Sequence, residues 1–311
     1  MLRTVIYFDI FNHPLKSTEI QDYCQQSRLR REEITGALHE LCRDNFLEEQ
    51  EGYYFLSGRN ILAGIRKERN ERAEAYLKKA KRYSKLIASF PFVRSVGISG
   101  SLSKGTMDHD GDIDYFIITE PKRLWVCRTL LVLFKKVFLL NSRKYFCVNY
   151  FIDTHELSIP DLNLFTATEI VFIKPMYEGA VFEKFVRANT WVNEFYPNRA
   201  ETADRHDLPS GNRFFKRSFE KIMRGRLGEA LDTFFFRLTL KRWKRKFRNV
   251  DESQFDLNFR SRRNVSKHHP QGFQFKVMNQ LAERVFEFEQ KHRVVLQKSE
   301  WRLDNPVEMQ G

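Results

Sequence analysis

Two aspartates, Asp112 and Asp114, stand one residue apart at the head of the apolar run Tyr115-Phe116-Ile117-Ile118. Residues i and i+2 of a strand point to the same face, so this spacing sets two carboxylates side by side. Adjacent anions repel unless a divalent cation neutralises them. A hard oxygen pair suits Mg²⁺ (or Mn²⁺), which keeps its other positions for water and phosphate. Upstream, the run Phe92 to Ser99 ends in Gly100-Ser101. A glycine turn leaving a strand lets backbone N–H groups approach phosphate oxygens. Ser101 can also cap the short helix behind it, whose positive end favours an anion. The two halves read as a triphosphate clamp facing a metal pair. Lys104 is a candidate phosphate contact as a compact cation, against the competing reading of a solvent-facing loop lysine. Aspartate and glycine also mark plain turns, but a plain turn requires neither alternating aspartates entering a strand nor a Gly-Ser exit upstream.

The elements that must position these residues follow from periodicity. Residues 1–57 show three helical stretches (Arg3 to Phe11, Ser17 or Thr18 to Cys24, Arg31 to Asn45) and then two short strands around Gly52, the order of a winged helix. Ser17 or Thr18 is the expected cap of the second helix. Residues 58–90 form a long charged helix, expected as a solvated connector and ended by Pro91. Residues 91–160 hold the Gly-Ser and Asp-x-Asp elements, and residues 161–311 read as a helical, basic region. Its helices are expected at Thr166 to Lys174, Val181 to Phe195, Arg213 to Phe247 and Phe273 to Leu296. Pro197, Pro209-Ser210-Gly211 and Pro270-Gln271-Gly272 break them. The expected class is α+β: a winged helix, a mixed sheet with helices, and a helical C-terminal region.

Gly100-Ser101-x-x-x-Gly105 followed by Asp112-x-Asp114 resembles the signature of the DNA-polymerase-β-like nucleotidyltransferases. The spacing is similar to that of the minimal nucleotidyltransferases. The Gly105-Thr106 pair is similar to the cyclic-oligonucleotide synthases of bacterial defence. The residue before the first aspartate is commonly serine in those motifs and is Gly111 here. The resemblance spans about Lys81 to Asp153. It implies that Gly100, Ser101, Lys104 and Gly105 bind a nucleoside triphosphate, and that Asp112 and Asp114 hold metal. It also implies a third acid on the neighbouring strand, expected over Tyr145 to Asp153. Asn149 has the apolar context of that slot and Asp153 has the carboxylate. The two share parity but lie about 13 Å apart along an extended strand, so one alone reaches the metals. The expectation is Asp153 as catalytic acid and metal ligand, with Asn149 in the nucleotide-binding set. Were Asn149 to fill the slot, the first metal would be under-coordinated and turnover slow. The implied activity moves a nucleoside monophosphate from an NTP to a hydroxyl acceptor with release of pyrophosphate. The alternative is a nucleotide-sensing or nucleic-acid-binding regulator with little or no turnover.

Hydrophobic residues at 42%, charged residues at 30% and 29 Phe provide for real cores and exclude a disordered or collagen-like chain. The formal charge of +13 is concentrated: Arg213 to Arg248 holds thirteen Lys/Arg against Glu220, Glu229 and Asp232. That segment suits packing on the core with a solvated basic face, or a polyanionic acceptor such as RNA. An anionic membrane surface is the lesser reading. DNA reading by residues 1–57 would use Arg28, Arg30 and Arg31, but Glu32, Glu33, Glu48, Glu49 and Glu51 oppose phosphate, and a structural or protein-contact role is favoured. The four cysteines form no C-x-x-C pair, as suits a reducing compartment. Neither His109 nor His268-His269 has a metal-site frame. Leu124 to Leu140 is 17 residues long with Arg128, Lys135 and Lys136 inside, a buried helix rather than a span. With no signal-peptide layout at the start, the expected location is the cytoplasm.

Overall fold

The apolar and charged periodicities resolve into thirteen helices and nine strands among the described residues of a computed structural model. It describes residues 1–25, 28–177, 179–199, 214–268 and 272–296. Arg213, Pro209-Ser210-Gly211, His269, Pro270 and Gln271, singled out above, lie outside them.

The N-terminal stretch forms α1 (Leu2–Asp9), β1 (Leu15–Lys16), α2 (Ser17–Tyr23), α3 (Arg31–Arg43), β2 (Leu47–Gln50) and β3 (Tyr53–Leu56). Glu51 and Gly52 join β2 to β3 with φ of 54° and 79°, the primed-turn geometry that matches strand twist. β1 adds to β3 to give the antiparallel order β1-β3-β2. The start of α2 differs from expectation. The Glu19 carboxylate accepts the Lys16 N–H at 2.9 Å, and the Ser17 and Thr18 hydroxyls are not the caps.

α4 (Ile61–Ile87) follows, then β4 (Val93–Ser99), α5 (Gly100–Ser103), β5 (Asp114–Thr119), α6 (Leu124–Phe138) and β6 (Cys147–Asp153). β4 and β5 are antiparallel, whereas β5 and β6 are parallel, so their connection must be a crossover. α6 supplies it, and its apolar face (Leu124, Trp125, Cys127, Leu131) is buried against the sheet. The chain continues through α7 (Leu164–Phe172), β7 (Lys174–Tyr177), α8 (Gly179–Ala188), α9 (Val192–Phe195), α10 (Phe214–Ile222), α11 (Arg226–Lys246), α12 (Glu252–Asn258), β8 (Ser261–Arg262), β9 (Val265–Lys267) and α13 (Phe273–His292). β7, β8 and β9 belong to one mixed six-stranded sheet, ordered β7-β4-β5-β6-β9-β8. The region after residue 161 is therefore not simply helical: it provides both sides of the sheet that carries the Asp-x-Asp strand. β7 contains Pro175 and is an edge strand, where a missing N–H is tolerated. β9 is drawn to β6 by charge. Arg260 donates to both Asp161 oxygens at 2.9 and 2.7 Å, and Lys267 Nζ lies 3.8 Å from the same carboxylate.

Packing crosses the expected boundaries at residues 57 and 161. Val5, Ile6, Phe8 and Leu38 share a core with Phe116 and Ile118 of β5, with α7, and with Val277 to Phe288 of α13. Buried Asp9 pairs with Arg59 and Arg284. α4 is a strut rather than a solvated connector. Arg66 is buried and donates to Pro14 O (2.7 Å) and Glu19 (2.7 Å), while Arg69 donates to the Phe11 and Asn12 carbonyls (3.1 and 3.0 Å). Among the described residues no helix is long and apolar enough to cross a membrane.

Candidate active site

The register of β4 on β5 pairs Ser99 with Asp114, so the chain leaving one strand turns beside the carboxylate entering the other. Gly100 makes that turn at φ +69°. A Cβ there would stand 2.7 Å from Asp114 Oδ2, so only glycine lets the backbone approach the carboxylate this closely. Ser101 follows, half-buried, within α5 rather than at its cap, which is Ser99 in extended backbone. α5 has four residues, too few for a substantial dipole, so polarity at the turn comes from its N–H groups. Gly105 closes the loop at φ +73°, and the Thr106 N–H returns to Ser101 O at 3.1 Å.

α4 holds the next loop in place. Met107 N–H donates to Arg69 O at 3.1 Å, Arg72 donates to Met107 O at 2.9 Å, and Arg69 donates to Asp108 at 2.5 Å. Met107 is fully buried. A Cβ at Gly111 would collide with Met107 Sδ and press on the Asp108 backbone at 3.3 Å. Glycine at this position, where the resembling motif commonly has serine, therefore follows from how the loop folds over Met107. His109 is exposed, with Nδ1 3.0 Å from Asp110 Oδ1.

β6 decides the third position. Asp114 pairs with Cys147 and Tyr115 with Val148, but Phe116 pairs with Tyr150, so Asn149 is an extra residue. Such a bulge re-aims a side chain. Asn149 Nδ2 donates to Asp114 Oδ1 at 2.7 Å, while Cys147 Sγ lies 3.1 Å from Asn149 Oδ1. The bulge also breaks the parity argument: Val148 and Phe151 reach one core, and Tyr150 and Ile152 the other. Asp153 then alternates to the opposite face and pairs with Thr119, about 16 Å along the sheet from Asp114. Its carboxylate accepts the His155 and Glu156 N–H groups at 2.9 and 3.2 Å, a turn-capping role. The expectation that Asp153 joins Asp112 and Asp114 is thus corrected: Asn149 is the β6 residue that lies against Asp114.

Burial pushes the Asp114 carboxyl up to about 6; the Asn149 and Cys147 hydrogen bonds oppose the rise, and Asp112 and Glu169 add repulsion. Burial likewise pushes the Cys147 thiol up to about 12. Asp112 is half-buried and accepts no hydrogen bond from the described residues. Lys104 lies at the turn, its Nζ 3.2 Å from Gly100 O and 2.7 Å from Glu169 Oε1. Glu169 is the participant that sequence reasoning missed. Its signal was a single charge in the otherwise uncharged helix Leu164–Phe172. Among the described residues no group of three or more His, Cys, Asp and Glu side chains is arranged around one point as metal ligands.

No family model, curated protein or solved structure matches this chain.

Proposed function

We propose that the protein is a metal-dependent nucleotidyltransferase that moves a nucleoside monophosphate from an NTP to a hydroxyl acceptor. The observation that carries this reading is the contact of the Gly100 turn with the Asp114 carboxylate across the β4–β5 pair. Backbone N–H groups suited to phosphate and an anionic pair suited to a cation then face one place. Asp112 and Asp114 fit Mg²⁺ or Mn²⁺, because a cation offsets both their mutual repulsion and the burial that raises Asp114. When bound there, the metal supplies charge neutralisation and Lewis-acid polarisation of phosphate oxygens. Gly100 and Ser101 orient the outer phosphates through backbone N–H groups, and Gly105 keeps the loop open to them. Lys104 adds a cation that Glu169 restrains. In the transfer, an acceptor oxygen bonds to the α-phosphorus, the bond to the leaving pyrophosphate breaks, and the hydroxyl proton passes to solvent water.

Asn149 favours a second reading. An amide cannot take up that proton or act as an anionic ligand, and here its N–H is directed at Asp114. A nucleotide-sensing regulator with slow turnover is therefore the alternative. In either reading residues 1–57 are a winged helix with a structural role, supported by the core it shares with α7 and α13.

The test is pyrophosphate release with each of the four NTPs and Mg²⁺ or Mn²⁺, comparing wild type with Asp112→Ala/Asp114→Ala. Release abolished by the double substitution supports transfer. Metal-dependent NTP binding without release supports the sensor. Neither release nor binding refutes both.

A further inference from the structure

The chain between α6 and β6 brings basic residues to the Asp-x-Asp site from behind. Asn141 N–H donates to Lys135 O at 3.0 Å, and Ile113 N–H donates to Lys144 O at 3.0 Å. The segment that follows α6 is thereby tied back to Lys135 at Asn141 and, at Lys144, to the residue between Asp112 and Asp114. Lys135 is half-buried and has no ion-pair partner among the described residues. Burial lowers its pKa; Arg143 and Arg128 add to that shift, and Cys147 and Asp112 oppose it. Arg128 stands two turns earlier on the same face of α6, about 10 Å along the axis. Its guanidinium lies 4.8 Å from the Trp243 ring and 5.7 Å from the Trp125 ring. It too has no carboxylate partner among the described residues. Burial pushes it down to about 10, which leaves it a cation at neutral pH. Trp243 belongs to α11, whose exposed Lys241, Arg242, Lys244, Arg245 and Lys246 surround it in sequence. A guanidinium whose neighbours are aromatic rings rather than carboxylates has N–H donors left for phosphate.

We infer that Lys135 and Arg128 form a phosphodiester-binding path along α6, which leads a single-stranded nucleic acid from the basic end of α11 to Asp112. This rests on the nucleotidyltransferase reading and names the acceptor class for it. Charge complementarity selects the occupant: cations in a line, without carboxylate partners, ending at a site for phosphoryl chemistry. A lipid surface fits less well. Of the exposed apolar side chains of α6, Leu133 and Val137 are turned about 140° and 180° around the helix from Arg128, and Phe138 about 80°. One plane cannot present Leu133 and Val137 together with the cations.

The test uses the full chain and a fluorescein-labelled oligouridine, with anisotropy read between about 50 and 200 mM salt. Arg128→Gln and Lys135→Gln are each expected to lose about tenfold in affinity, and the slope of log affinity against log salt is expected to fall by about 1 per variant. Lys81→Gln, an exposed cation on α4, is expected to change neither. Because Arg128 also packs on two tryptophans, Lys135→Gln carries the result if Arg128→Gln unfolds. Wild-type affinity and slope in Lys135→Gln would overturn the path. So would wild-type protein that sediments with phosphatidylserine vesicles but does not bind the oligonucleotide, or that binds neither. Oligonucleotide binding needs no NTP, so its failure is distinguishable from failure of pyrophosphate release.

Discussion

Replacing Asp114 by Asn should make the metal-free protein more stable at neutral pH while destroying its proposed function. Burial raises the Asp114 carboxyl from the ordinary 3.8 to about 6. In that window the native state holds a proton that the unfolded chain has released, so stability falls as pH rises from about 4 to about 6 and stays reduced above. The gap corresponds to about 3 kcal/mol of destabilisation at pH 7.5. An asparagine carries no charge to desolvate, and its carbonyl can still accept the Asn149 N–H that now lies 2.7 Å from Asp114 Oδ1. For a chain of 311 residues, 3 kcal/mol corresponds to a rise of about 5 °C in melting temperature. The assay is differential scanning calorimetry of wild type and Asp114→Asn in EDTA at pH 7.5 and near pH 4. Taking the difference between the proteins at each pH removes every other titrating group. The advantage of the variant should be present at pH 7.5 and absent near pH 4. Added Mg²⁺ should then raise the wild type selectively, because only the carboxylate gains a cation. A variant equal to or less stable than wild type at pH 7.5 would refute the account of Asp114 as a buried anion awaiting a partner.

Three further outcomes are expected. Asn149→Asp places a third carboxylate against Asp114, so without metal it should cost about 1–3 kcal/mol in denaturant melts, and with Mn²⁺ it should accelerate pyrophosphate release; no metal-dependent recovery of either would remove Asn149 from the third position. Gly100→Ala combines positive φ with a Cβ 2.7 Å from Asp114 Oδ2, and should cost about 1–2 kcal/mol and abolish calorimetric NTP binding; retained binding would show that the turn does not hold the phosphates. Asp161→Asn strips the bidentate partner from Arg260 and the counter-charge from Lys267, and should cost about 3–5 kcal/mol while exposing β9 amides to hydrogen exchange; a loss under about 1 kcal/mol would mean that charge does not hold β9 on the sheet.

Some of this architecture was legible because neighbours in sequence fix it. Asp114 opens a strand, Glu51-Gly52 permit one tight turn, and Leu124 to Phe138 form a buried apolar helix; all three depend on local periodicity and backbone preference. Lys174-Pro175-Met176-Tyr177, Ser261-Arg262 and Val265-Ser266-Lys267 carry little strand signal of their own. They are strands because an open edge of the sheet and the Asp161 carboxylate are there to receive them. Arg66 and Arg69 look like solvated helix charges until the carbonyls of the turn after α1 come within reach.

What the sequence by itself determined is the strand that Asp114 opens and the glycine turn before it, since apolar patterning and the freedom of Gly100 are properties of the local chain. Which residue of β6 lies against Asp114 was decided by tertiary structure alone. A single-residue bulge in β6, set by its register on β5, turns Asn149 onto Asp114 and carries Asp153 to the other face. Register is a relation between strands some 35 residues apart, and no pattern within either strand records it.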